Sequence, residues 1–129
     1  HFKIEKKHLF DFQQKFDLVV FNPPLGIPEK NNFRPHRDGG HLGTEVPLLF
    51  LDFAFLHAHK GTRCFFIAGD PIIGGTRAFQ TEIENQCRWN INTRAVLDPH
   101  FNQSVAKIHE YDRFNIDRIE LVLYEVSLI

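Results

Sequence analysis

The residues with the clearest potential for chemistry are Asn22, Pro23 and Pro24, which follow the apolar run Phe16–Phe21. The asparagine side chain has an oxygen that accepts hydrogen bonds and an amide that donates them. The prolines fix two successive φ angles, and a proline also restrains the residue before it. The Asn22 oxygen and a nearby prolyl carbonyl would then face one point, where a primary amine or amide could donate both hydrogens. An ordinary Asn-Pro turn explains the spacing about equally well.

Hydrophobic periodicity predicts the elements that position this corner. Phe16–Phe21 is a continuous apolar run of strand length, typical of a strand covered on both faces of a parallel sheet. A helix with Thr44 as its N-cap is predicted to extend to about residue 59. We expect residues 60–62 to close that helix with a glycine, and residues 63–68 to form a second buried strand.

The second half of the chain continues the alternation of strands and helices. We predict a glycine- and proline-rich loop, an amphipathic helix, a strand, a long connection and a final strand, in that order, at residues 69–75, 77–87, 92–97, 98–115 and 117–125. The helix would turn Phe79, Ile83 and Cys87 inward. This alternation favours an α/β fold with a mainly parallel sheet. Because no clear helix separates the last two strands, we expect an antiparallel terminal strand pair.

Composition indicates a single globular domain over residues 1–129, with 43% hydrophobic and 24% charged residues. No apolar run approaches the roughly 20 residues of a membrane helix, and no signal peptide is visible, so we expect a cytoplasmic protein without membrane contact. The net charge of −1 lacks the basic field typical of nucleic-acid binding. Cys64 and Cys87 fit no metal or redox spacing, and Cys64 is expected to be a buried thiol.

The string FDLVVFNPPLG resembles motif IV of class I S-adenosylmethionine-dependent amino-methyltransferases, whose form is Asp-hydrophobic-hydrophobic-x-Asn-Pro-Pro-aromatic. Asp17, Asn22, Pro23 and Pro24 match it. Later strings, LLFLDFAFLHAHKGTRCFFIAGDPI, GGTRAFQTEIENQCRWNINTRAVLDPHF and DRIELVLYEV, are similar to the closing elements of adenine-specific DNA methyltransferases. The resemblance covers about residues 8–126 and implies the carboxyl-terminal portion of a Rossmann-like methyltransferase domain. The glycine-rich cofactor-binding part would lie upstream, so we expect the chain to be part of a longer one and inactive by itself.

The resemblance implies catalysis at Asn22, Pro23 and Pro24. Their oxygens would accept both N–H groups of an amine while its nitrogen receives a methyl group from S-adenosylmethionine. Three residues are expected to contact that cofactor: Asp11, His8 and Asp17.

The resemblance also implies substrate contacts after the motif. Leu25 stands where the family has an aromatic residue that stacks on a planar target, and Phe21 or Phe33 could take that role. Arg34 and Arg37 could contact phosphates, although exposed loop charges explain them more readily.

Several functions stay open at this point. The exocyclic amine of adenine in DNA is the first expectation for the acceptor, as in restriction-modification, which would require base flipping. Glutamine in a protein substrate is an alternative, because DGGHLG resembles the Gly-Gly stretch of release-factor glutamine methyltransferases, and a guanine of ribosomal RNA is another. A non-catalytic α/β docking or dimerisation module is the alternative of a different class. An unpaired sheet edge would favour self-association of the chain.

Other polar clusters fit weaker hypotheses. The HRDGGH segment, residues 36–41, lacks further ligands at zinc spacing, so no metal is expected. Residues 69–75, GDPIIGG, lack the ending of a phosphate-binding P-loop and are interpreted as a loop bordering the substrate cleft. His57 and His59 are interpreted as solvated or capping side chains.

Overall fold

A computed structural model describes residues 13–24, 43–101 and 114–129. This part of the chain contains five strands and two helices. In chain order they are β1 (Phe16–Phe21), α1 (Glu45–Leu56), β2 (Ala58–Ile73), β3 (Thr76–Arg77), α2 (Ala78–Asn85), β4 (Trp89–Asp98) and β5 (Arg118–Leu128). Neither described helix has the length and apolar character that a membrane crossing requires.

The described strands form one mixed sheet in the order β1-β2-β5-β4, with β3 paired to the end of β2. β1 is parallel to β2, whereas the β2–β3, β2–β5 and β4–β5 pairs are antiparallel. The α/β class and the antiparallel terminal pair are therefore confirmed. The prediction of a mainly parallel sheet is wrong for the described strands, because β5 inserts between β2 and β4 and runs against both.

Both helices pack on the same face of the sheet. Alternate residues of a strand project to one face, and on this face β2 contributes Cys64, Phe66 and Ala68. α1 adds Leu51 and α2 adds Phe79, both fully buried. The buried Cys64 thiol was predicted, and burial raises its pKa to about 12. This face is the hydrophobic core.

The opposite face of β1 is open in the described part of the chain. Leu18 and Val20 are 55% and 68% exposed, so the prediction that β1 is covered on both faces is wrong. Their β2 neighbour Phe65, like Ile67, is half-buried. Apart from Asp17, the residues of Phe16–Phe21 are apolar. One face of this strand packs in the core, and the other face is apolar but exposed.

Several element boundaries differ from the predicted ones. β2 begins at Ala58 rather than at residue 63, and Gly61, with φ +98°, is accommodated within it. α1 ends at Leu56, and its N-cap Thr44 makes no side-chain capping hydrogen bond. β2 also continues through Gly69–Ile73, where a loop was expected, because these residues pair with β5.

The second helix is shorter than predicted. α2 covers Ala78–Asn85, and Phe79 and Ile83 face the core as expected. Cys87 lies beyond the helix, is exposed and has φ +53°, so its predicted inward orientation is wrong.

Candidate functional site

Asn22 lies immediately after β1, at the carboxyl end of that strand. The preceding residue Phe21 pairs with Phe66 of the parallel strand β2. The Asn22 side chain is exposed, Pro23 is buried and Pro24 is half-buried. Among the described residues, no hydrogen-bond partner is found for the Asn22 carboxamide. The buried proline therefore anchors the corner, while Asn22 beside it is exposed.

Asn22 is one of the residues that line a cavity of about 330 Å³. The other lining residues are apolar: Val20, Phe21, Phe65, Phe66, Ile67 and Leu123. A volume of this size lies at the lower end of the range for small-molecule sites, about 300–1,000 Å³. Apolar walls with one carboxamide suit a flat, neutral group that carries an amine or an amide.

Stacked aromatic rings on the core face of the sheet hold Phe21, the residue before Asn22. The Phe21 ring stacks on Phe66 at a centroid distance of 4.9 Å and an interplanar angle of 1°, and on Phe50 at 4.6 Å and 19°. Each such pair contributes about 0.5–1.5 kcal/mol beyond area burial. Stacking of Phe21 on a substrate, as predicted, would compete with these contacts. The structure uses this ring to hold the strand end.

Asp17 lies near the other end of β1. Asn22 follows five positions later, which is roughly 16 Å at a rise of about 3.3 Å per residue. The Asp17 side chain is 95% exposed, and its Oδ1 lies 2.6 Å from Nε2 of His59. It is not among the residues that line the cavity. The structure therefore separates the predicted cofactor contact Asp17 from the predicted catalytic corner.

The two histidines after α1 have specific partners. Nδ1 of His59 contacts the Lys60 carbonyl oxygen at 2.9 Å, so both ring nitrogens face acceptors and the protonated ring suits both. The Lys60 carbonyl, and then Asp17, raise the pKa of His59. His57 is buried, and its Nδ1 contacts the Gln14 carbonyl oxygen at 2.8 Å. Of the two interpretations of His57, the solvated one is therefore wrong, whereas the capping one is confirmed, because His57 is the C-cap residue of α1.

Asp70 is a buried acid that sequence reasoning missed. It is fully buried near the carboxyl end of β2, where a loop was predicted. Its Oδ1 accepts a hydrogen bond of 2.9 Å from the Phe79 backbone N–H, and its Oδ2 accepts one from the Tyr124 hydroxyl. Burial raises the pKa of Asp70, whereas the bonds from Tyr124 and Phe79 act in the opposite direction. An acid inside the apolar stretch FFIAGDPII was the available signal.

A second buried acid lies beside Asp70. Glu120 of β5 is the cross-strand neighbour of Asp70 and is almost fully buried. Its Oε1 contacts Nη1 of Arg77, and its Oε2 lies 3.7 Å from Nη2 of Arg118. Residues 69–73 of the segment GDPIIGG therefore belong to a paired strand with Asp70 turned inward, so the predicted loop is wrong for these residues, and Gly74 and Gly75 form a turn after the strand.

The remaining predicted site residues lie outside the described part of the chain. They are Leu25, Phe33, Arg34, Arg37, Asp11 and His8. The HRDGGH segment lies outside it as well, and the roles assigned to all of these residues stay predictions. Within residues 13–24, 43–101 and 114–129, no group of three His, Cys, Asp or Glu side chains is arranged to hold a metal ion.

Comparison with solved structures gives a distant likeness. No family model and no curated protein matches the chain. A chain from a structural study of complex assembly and conformational transition of the type I R-M system is similar at 20% identity and a TM-score of 0.49. The match covers 95% of the present chain, which spans only 23% of the length of that chain.

Proposed function

We propose that this chain is part of an S-adenosylmethionine-dependent amino-methyltransferase and holds the acceptor amine, which is the exocyclic amine of adenine in DNA. The observation that carries the proposal is the Asn22 corner. Asn22 is exposed, precedes a buried proline and is one of the residues that line an apolar cavity. Ligands of open α/β sheets gather at the carboxyl ends of strands, where Asn22 lies. The resemblance of FDLVVFNPPLG to motif IV adds the reaction type.

The residues of the corner would bind and orient the amine. The Asn22 oxygen accepts one N–H, and a prolyl carbonyl accepts the other. Both hydrogen bonds strengthen as positive charge grows on the nitrogen, so they favour the transition state over the bound substrate. The apolar walls exclude water and hold the ring, and the proton released by the product amine leaves to solvent.

S-adenosylmethionine, when bound, would supply the methyl group as an electrophile. The described residues do not form a place for it. Asp17 pairs with His59 at the far end of β1, and the other predicted contacts, Asp11 and His8, lie outside the described ranges. The described residues would therefore form only the site for the acceptor amine.

Adenine is favoured over the other acceptors for two reasons. The cavity walls described above carry no charged side chain, which suits a neutral planar ring. The closing strings of the chain resemble adenine-specific DNA methyltransferases in particular. An adenine in duplex DNA would have to be flipped out of the stack to reach Asn22.

The test is transfer of a labelled methyl group from S-adenosylmethionine to DNA, RNA and protein acceptors, with the chain expressed within its complete reading frame. We expect label on adenine in DNA, and Asn22→Ala should lower turnover by about 10²–10³-fold, as for loss of a preorganised hydrogen-bonding group. Because Asn22 is exposed, the variant should keep its stability within about 0.5 kcal/mol.

The matched control is Asn90→Ala, which removes another exposed carboxamide on β4 and should leave turnover unchanged. Near-normal turnover of Asn22→Ala would contradict the role of the corner. Label on protein glutamine or RNA guanine alone would refute the choice of adenine, and no label on any acceptor would refute the activity.

A further inference from the structure

A row of aromatic rings leads from the Asn22 corner into the core. Phe21 stacks on Phe66, and Phe66 stacks on Tyr124 at 5.6 Å and 23°. The Tyr124 hydroxyl then donates a hydrogen bond to Asp70. Phe66, Tyr124 and Asp70 are essentially without solvent exposure, so a shift of one ring must be taken up by the next.

Asp70 joins this row to α2. Its second oxygen accepts the Phe79 backbone N–H at the start of the helix. The Phe79 ring contacts Phe66 at 5.9 Å and 80°, and Tyr124 at 5.7 Å and 57°. One carboxyl group therefore fixes the hydroxyl of one ring and the backbone of another, and both of these rings pack on Phe66.

Charged groups surround Asp70 on the packed elements. Arg77, at the start of α2, acts on Asp70 through its positive charge, and Glu120 lies across from Asp70 on β5. On β4, Arg94 lies opposite Tyr124. The titratable and charged groups around the hydrogen-bonded pair of Asp70 and Tyr124 are Arg77, Arg94, Arg118 and Glu120.

We propose that Asp70 is a positioning residue for the Asn22 corner and acts through Tyr124, Phe66 and Phe21. The ionised carboxyl group accepts charge-assisted hydrogen bonds from Tyr124 and Phe79, which are about twice as strong as neutral ones. Protonation of Asp70 weakens these hydrogen bonds. The rings of Tyr124, Phe66 and Phe21 can then shift, and the end of β1 is no longer held in one position. The inference rests on the proposed function, because positioning matters only if Asn22 holds an amine.

A merely structural role of Asp70 predicts a different result. Protonation would then change global stability without changing the surroundings of Asn22 in the folded protein. The side-chain amide signal of Asn22 distinguishes the two cases, because Asn22 directly follows Phe21, the last ring of the row.

The experiment is a pH titration of the full chain, labelled with ¹³C and ¹⁵N, by NMR. The ¹³Cγ signal of Asp70 reports its protonation, and the Nδ2 signals of Asn22 report the corner. We expect both to move with one midpoint in the natural chain. In Asp70→Asn the Asn22 signals should stay constant, while the Asn90 side-chain amide on β4 serves as an internal control in every spectrum.

Tyr124→Phe keeps the ring row and the acid but removes the link between them. Asp70 should still titrate in this variant, and the response of Asn22 should be lost. Persistence of the full response would show that Tyr124 does not carry the coupling, and would overturn the proposal. An Asn22 signal that does not respond in the natural chain would also overturn it, and Tyr124→Phe decides the matter even if Asp70→Asn does not fold.

The titration needs neither cofactor nor substrate. Failure of methyl transfer with a positive titration would therefore reject the proposed function and leave the coupling between Asp70 and Asn22 intact. A flat Asn22 titration with active methyl transfer would reject only the positioning role.

Discussion

Replacement of Tyr124 by phenylalanine isolates one buried hydrogen bond. The ring stays, so its stacking on Phe66 and its contact with Phe79 are retained. The hydroxyl is lost, and the fully buried Asp70 keeps the backbone N–H groups of Phe79 and Gln80 in the first turn of α2 as hydrogen-bond donors. No cavity larger than one oxygen atom is created.

The expected cost follows from the charge on Asp70. A hydrogen bond to a charged group contributes about 1.5–3 kcal/mol, against about 0.5–1.5 kcal/mol for a neutral one. Tyr124→Phe should therefore lower the free energy of unfolding by about 1.5–3 kcal/mol where Asp70 is ionised in the folded protein.

The pH dependence has a defined sign. The Tyr124 bond lowers the pKa of Asp70, so its loss raises that pKa further. The difference in the free energy of unfolding between the natural chain and the variant is therefore largest at pH above the folded pKa of Asp70 in the variant, the higher of the two pKa values. The difference should shrink toward about 0.5–1.5 kcal/mol as the pH falls through that pKa, because the bond is then neutral.

Urea denaturation at a series of pH values measures this difference directly. The matched control is Thr93→Val, which removes an exposed hydroxyl that donates to the Glu125 carboxylate at 3.3 Å. It should change stability by no more than about 0.5 kcal/mol. Equal stability of Tyr124→Phe and the natural chain, or a difference that grows on acidification, would refute the reasoning.

Two further predictions concern ionisable surface and core groups. Asp17→Asn should lower the pKa of His59, because the Asp17 carboxylate raises it, and NMR of the imidazole protons measures the shift. The pair stabilises the fold at low pH and loses this effect as the pH rises through the folded pKa of His59. An unchanged titration curve of His59 would contradict the pairing. Iodoacetamide at neutral pH should modify the exposed Cys87 and should not modify Cys64 until urea unfolds the chain, because burial raises the pKa of Cys64 to about 12. Mass spectrometry locates the adducts, and rapid labelling of Cys64 in the folded protein would disprove its burial.

Local patterns predicted the helices and the strand before Asn22 well. Phe79 and Ile83 face the core because helical spacing places them on one side. Residues 69–73 were misjudged, because Gly69 and Pro71 are typical of loops. In the structure they pair with Leu121 and Ile119 of β5, and this tertiary pairing outweighs local preference.

The site was only partly accessible from sequence. The exposed Asn22 on its proline corner follows from neighbouring residues. The stacking of Phe21 does not follow from neighbouring residues, because Phe50 and Phe66 come from other elements. The Asp70–Tyr124 bond joins residues 54 apart, and only the position of β5 next to β2 brings them together. Periodicity carries no information about such neighbours.

The position of β5 has a consequence for biosynthesis. β5 is translated after the other strands, yet it must bond to both β2 and β4. A nascent chain that has not yet emerged from the ribosome beyond residue 117 holds β2 and β4 without the strand that joins them. Contacts between distant parts of a sequence form slowly, and unpaired edges can meet other chains in the meantime. Ribosome-bound chaperones would therefore have most to protect in the interval before β5 is released.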